Sequence, residues 1–344
     1  MASNPTKPLT LADHALASGD PAYVKIVENI HKSGNVLQFF TFKKQNRLTK
    51  TSKTIDNADL PDLGFGQLNQ EATDVKATDR SRAGWTHFVR HTLSADIMEL
   101  ATWNETREGM GPWTRATKAL TTAWSKKFTY DLINGSLLSD GNPDTKGFYG
   151  LRNMMATSDS RNTWHIADSC RVDGGGVGMN PAALSAASAQ ELEEKIDQML
   201  FEMDKPDGDG VVLLMPNLVA ARLTSGNKLG GNFDQTKDAF GRKIQTFRSA
   251  KLLRTGYNKA GLPVLPTYET AAGVIGTSGT DKYASIFAIC PDADCMDNWM
   301  AGDLAPKDLP QNNVWEQKLV DAMFGFLPLD DFWAGQIYNI QVVD

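Results

Sequence analysis

The chain has 344 residues, which suits two or more lobes better than one simple core. Apolar residues at 41% and charged residues at 22% are ordinary for a soluble globular protein. A net charge of −6 argues against a protein that coats nucleic acid by neutralising phosphates, which takes a basic surface.

The opening "MASNPTKPLTLADHALASGD" is polar and broken by prolines, unlike a secretory signal. No run is long and apolar enough to span a bilayer. Three cysteines do not make a disulfide framework, so synthesis in a reducing cytoplasm is expected. The initial Met carries the expectation that no upstream pro-region has been removed.

Asp20-Pro21 opens the first expected helix, with Asp as the cap and Pro in the first helical position. Val24, Ile26, Val27 and Ile30 form its stripe and Gly34 its stop. The segment ahead of it reads as a polar, extended arm. Residues 38–83 are poor in core residues and too long for an ordinary loop. One half carries Lys43, Lys44, Arg47, Lys50 and Lys53, the other Asp56, Asp59, Asp62, Glu71 and Asp74. Two readings stand: a solvated surface hairpin, or a projecting arm that packs on another subunit.

Trp85 to Ser94 alternates as a strand does. Gly111-Pro112 then starts the longest helix. Trp113, Ala116, Leu120, Ala123, Trp124, Phe128 and Leu132 follow at helical spacing, and Asn134-Gly135 is the stop. A second helix is expected over Ser188 to Met203, with Ser188 and Glu191 as a capping box. "VVLLM", Val211 to Met215, reads as a buried strand, and "PNLVAARLTSG" as a short helix. Ser285–Ile289 and Ile337–Val343 are late strands. Strands and helices mix without a regular βαβ repeat, which indicates an α+β fold.

The motifs that would carry chemistry are incomplete. His87 and His91 stand four apart but lie in a strand pattern, where that spacing separates them by about 13 Å. Cys290 and Cys295 bracket "PDAD" with no second pair, and read as buried thiols. "DKPDGDG", Asp204 to Gly210, has Met215 where a calcium loop needs its glutamate, and reads as a turn. "DGGGVG", Asp173 to Gly178, lacks the Lys-Ser/Thr of a phosphate loop and follows no clear strand. No catalytic, cofactor or metal residue is therefore assigned.

The order of the pieces carries more than any one motif. A capped helix precedes a charged hairpin. "LSADIMEL" leads into a long helix ending "DLINGS", and "DGNPDTKGFYGLRNM" follows. Downstream come "FGRKIQTFRSAKLLRTGYNKAGLPVLPTYE", "YASIFAICPDADCM" and "DDFWAGQIYNIQVV". This order resembles the major capsid proteins of tailed bacteriophages, with the Hong Kong ninety-seven type capsid fold, over nearly the whole chain.

The resemblance implies an N-terminal arm and helix at 1–37 and an extended loop at 38–84. A peripheral domain with its spine helix would follow at 85–151 and an axial domain at 152–300. A return to the peripheral domain at 301–335 and a C-terminal axial strand at 336–344 would complete the chain. It makes Lys43, Lys44, Arg47, Lys50, Lys53, Asp56, Asp59, Asp62 and Glu71 inter-subunit contacts. Trp113, Leu120, Trp124 and Phe128 become the spine. Asn134, Gly135, Phe148, Tyr149 and Leu151 become a domain crossover, with Gly135 capping the helix in the left-handed conformation.

The implied role is structural rather than enzymatic, with no cofactor. Copies of the chain would form pentamers and hexamers of an icosahedral shell around double-stranded DNA held without sequence-specific binding. A separate scaffolding protein, a portal and a decoration protein are the expected partners, with no membrane. The chain would assemble in the bacterial host cytoplasm and reside in the virion. Two alternatives stay open: an encapsulin-like compartment, and a soluble α+β enzyme with a scattered site.

Overall fold

The computed structural model describes residues 8–32, 36–45, 51–55, 79–83, 85–107, 111–135, 150–156, 166–180, 185–227, 233–237, 240, 243–258, 260–310 and 315–342. The expected polar arm is in fact partly helical. After the two-residue strand β1 (Leu9–Thr10), α1 (Leu11–Ser18) starts at Thr10. The Thr10 hydroxyl accepts from the Asp13 N–H at 3.2 Å, and the Asp13 carboxylate accepts from the Thr10 N–H at 3.2 Å. Gly19, at φ 67°, closes the helix in the left-handed region. The pattern is too short to stand out from its periodicity, but the reciprocal cap specifies it. Next comes α2 (Pro21–Lys32), capped by Asp20 Oδ1 on the Ala22 N–H at 2.8 Å, as its sequence indicates. Its face of Tyr23, Ile26, Val27 and Ile30 is buried.

A single 3-10 turn at Val36–Phe39 leads to β2 (Thr41–Lys44). The strands β3 (Thr51–Ile55) and β4 (Asp79–Ala83) pair antiparallel with each other as a separate two-stranded sheet. The strand β5 (Trp85–Asp96) is longer than its alternation indicates and runs into α3 (Ile97–Thr106), a helix absent from the sequence reading. Asp96 caps it, accepting from the Met98 N–H at 2.7 Å. The long helix α4 (Pro112–Asn134) has the expected bounds. A short helix, α5 (Leu151–Ala156), follows, then β6 (Arg171–Asp173).

The capping box of α6 (Ala186–Glu202) lies three residues earlier than expected: Ser185 is the cap and Ser188 its third helical residue. Both serines satisfy the same pattern, and the backbone enters the helix at the first. A turn carrying Gly208 and Gly210, both at positive φ, joins it to β7 (Val212–Pro216), every residue of which is buried. Next are α7 (Asn217–Asn227), β8 (Phe233–Lys237), β9 (Lys243–Phe247), β10 (Ala250–Thr255) and β11 (Tyr283–Ile289). The chain ends with β12 (Trp299–Asp308), β13 (Trp315–Phe326) and β14 (Ala334–Gln341).

These elements build two mixed sheets. The first has the order β1-β2-β12-β13-β5, with α2 and α4 packed on it. The second has the order β6-β14-β11-β7-β10-β9-β8, with α6 and α7 packed side by side on it. The fold is α+β, as the element order indicates. Phe40, Phe42, Trp124, Phe128, Phe324 and Phe326 interlock between the long helix and the first sheet. Trp124 stacks on Phe324 at 5.4 Å, and Phe40 meets Phe326 edge-on at 5.1 Å. The buried residues run without a break from this cluster into the second sheet.

Candidate functional site

The segment joining the two sheets is where the sequence placed a crossover. Asn134 and Gly135 do end the long helix, but not by left-handed capping. Gly135 has φ −55° and ψ 142°, an extended conformation, while its N–H still donates to the Asp131 carbonyl at 2.8 Å. The glycine that sterics demand is Gly150. Its N–H donates to the Gly135 carbonyl at 2.9 Å, and a Cβ there would lie 2.4 Å from the Gly135 nitrogen. The returning chain thus lies directly on the helix end, and the side chain of Leu151 beside it is fully buried. Phe148 and Tyr149 lie outside the described residues.

Arg152 sits one residue into α5 and is buried. It donates to Asn134 Oδ1 at 3.0 Å, to the Gly273 carbonyl at 2.7 Å and to Glu269 Oε1 at 2.7 Å. Asn134 in turn donates through Nδ2 to the Val264 carbonyl at 2.6 Å. Glu269 is fully buried and accepts a second, short hydrogen bond from Ser285 Oγ, which also accepts from Gln336 Nε2 at 3.3 Å. The Arg152 guanidinium lies 5.4 Å over the Phe287 ring. One buried polar cluster therefore ties the end of the long helix to β11, β14 and the loop at 264–273. Burial raises the Glu269 carboxyl above the ordinary carboxylate range, opposed by the Arg152 charge and by the donors on Arg152 and Ser285. Sequence pattern does not reveal this cluster, because Arg152 and Glu269 stand 117 residues apart.

The spine residues divide by depth. Trp124 and Phe128 are buried, Leu120 is half-buried, and Trp113 is half-buried beneath Lys318, whose Nζ lies 5.0 Å from the ring. Lys43 and Lys44, grouped with the projecting arm from sequence, lie on β2 within the first sheet. Lys43 pairs with Asp297 of its own chain at 3.2 Å, and Lys44 is exposed. Lys53 is on β3, opposite Ser81. Arg47, Lys50, Asp56, Asp59, Asp62 and Glu71 lie outside the described residues.

The other candidate groups fall where their patterns indicate, with one change. His87 and His91 are on β5, paired with Phe324 and Val320. Cys170, Cys290 and Cys295 are buried free thiols. Burial pushes Cys170 up to about 12. "DGGGVG" does follow a strand, the three-residue β6. Among the described residues no three His, Cys, Asp or Glu side chains are placed to hold a metal, and no helix is long and apolar enough to cross a membrane.

No protein-family model and no curated protein matches this sequence. Solved structures do match its fold over about nine-tenths of its length. The capsid of a native GTA particle superposes with a TM-score of 0.51 and 11% identity, over 90% of each chain. The chain has the Hong Kong ninety-seven type capsid fold. The capsid of Ralstonia phage GP4 matches this fold with a TM-score of 0.50 and 11% identity, over 89% of this chain and 88% of the other. The SrpI encapsulin of Synechococcus elongatus PCC 7942 matches with a TM-score of 0.51 and 13% identity, over 89% of this chain and 86% of the other. The crossover is the joint between the two sheets.

Proposed function

We propose that the chain is a major capsid protein, assembling as pentamers and hexamers into the icosahedral head of a tailed bacteriophage. The observation that carries the reading is the extent of the fold match. It covers about nine-tenths of this chain and of the GTA and Ralstonia phage capsid proteins. The net charge of −6 suits a shell whose contents slide past it rather than bind to it. A scaffolding protein, a portal and a decoration protein are the further partners of this reading, with assembly in the host cytoplasm. The arm residues from Lys50 to Glu71 would lie against a neighbouring copy.

The encapsulin match supports a second reading, a protein-filled compartment. Negative-stain electron microscopy of the chain expressed alone and with scaffolding candidates tests the shell itself. Closed shells or capsomer rings are expected, and a monomer under every condition would sink the proposal. Nuclease-protected DNA inside particles made during phage growth supports the head. A protein cargo without DNA supports the compartment.

A further inference from the structure

The chain passes from the second sheet to the first through residues 290–298 and returns through 327–333. These two segments are zipped together. The Cys290 N–H donates to the Trp333 carbonyl at 2.8 Å, and the Leu329 N–H to the Cys295 carbonyl at 2.9 Å. Asp297 adds a bond from its N–H to the Leu327 carbonyl at 2.8 Å, and Met296 bridges to Pro328. The outgoing segment folds back on itself, since the N–H groups of Cys295 and Met296 both donate to the Asp292 carbonyl, at 3.2 and 2.8 Å.

That turn brings the Cys290 and Cys295 side chains together in the interior, close enough for each thiol to act on the other's proton. Both are buried, but Asp292 and Asp294 on the crest of the turn are exposed, so the thiols lie one layer below solvent. Gly210 packs beneath, with the position of its absent Cβ 3.7 Å from Cys290 Sγ. The Cys295 thiol and the Asp292 N–H hold Cys290 below the ordinary thiol range, and Lys205 assists. The neighbouring Cys290 thiol and burial push Cys295 up, so of the two it holds its proton longer. Cys170 stands apart, its Sγ donating to the Glu202 carbonyl at 3.3 Å.

We infer that Cys290 and Cys295 form a redox clasp: a peroxide joins them in a disulfide that fixes the double crossover between the two sheets. The Cys290 sulfur attacks hydrogen peroxide. An S–O bond forms, the O–O bond breaks and one water leaves, so Cys290 becomes a sulfenic acid. The Cys295 sulfur then attacks Cys290. The S–S bond forms, the S–O bond breaks and a second water leaves with the Cys295 proton. Two thiols are oxidised by one electron each, and one peroxide is reduced to two waters. A thiol-containing reductant reverses the bond by exchange. Reduced, the joint can flex. Oxidised, the turn is stapled at both ends, and through it the return segment.

The test treats the full chain with hydrogen peroxide, quenches, and alkylates after denaturation. Alkylatable thiols are expected to fall from three to one, the survivor being Cys170. The tryptic peptide spanning 283–307, which contains both cysteines, should carry the link until it is reduced. Amide hydrogen exchange at 292–298 and 327–333 should slow about tenfold in the oxidised protein, and C295S should lose both effects. Three thiols still alkylatable, or Cys290 overoxidised beside a free Cys295, would overturn the disulfide. A disulfide that leaves exchange in both segments unchanged would overturn its role as a clasp.

Discussion

Arg152 concentrates the joint's polar energetics in one side chain. It makes three hydrogen bonds, one to the end of the long helix and two to the loop at 264–273, and its charge faces the fully buried Glu269. Removing the arginine leaves that carboxylate without its cation in the interior. Arg152→Met should therefore cost about 3–5 kcal/mol of folding stability, read from urea denaturation of the subunit. Glu269→Gln keeps an acceptor for Arg152 and should cost less. The pH dependence follows from the sign of the shift. Burial raises the folded Glu269 pKa above its unfolded value, so the fold binds this proton more tightly than the unfolded chain does. The stability it contributes is complete below the unfolded value of about 4.3 and is lost as pH rises through the folded value. The difference in stability between wild type and Glu269→Gln should change as pH rises above that unfolded value. A constant difference from pH 4 to 7 would show that the Glu269 pKa is not raised.

Gly325 shows how two strands can depend on one missing side chain. It faces Trp299 across the β12–β13 ladder, and a Cβ there would lie 2.0 Å from the indole ring. Trp299 is fully buried, so the ring has nowhere to move. Gly325→Ala should cost about 1–3 kcal/mol by overpacking, visible as a lower denaturation midpoint with an unchanged slope. These strands were also the least legible from sequence. Trp315 to Phe326 carries the polar run Glu316-Gln317-Lys318 in its exposed half and turns continuously apolar only from Ala322, which matches neither template well. In β12 the ladder shifts register between Asp303 and Lys307, around Pro306, which interrupts the period-two pattern. The long helix and the all-buried β7 were legible, because each carries one strong local signal from end to end. The end of the long helix at Asn134 was legible, but how the chain is held there was not. The crossover's glycine acts through contact with a residue fifteen positions away, and its arginine through partners more than a hundred away.

At the scale of the whole molecule, the arm is the part that would reach between copies in the proposed shell. β3 and β4 pair only with each other among the described residues, while each of the other strands belongs to one of the two larger sheets. A lone two-stranded ribbon is marginal in water, and in the proposed shell a neighbouring copy would supply further contacts. Small contacts of this kind suit a shell. Each is weak enough for a misplaced subunit to leave, and repetition around a closed surface supplies the avidity. Deleting residues 56–66 should therefore leave folding intact, with a thermal midpoint within a few degrees of wild type. Closed particles should disappear from electron micrographs under conditions where the full chain forms them. A deletion that still closes shells would show the arm to be dispensable. One that unfolds would show that the arm supports its own subunit.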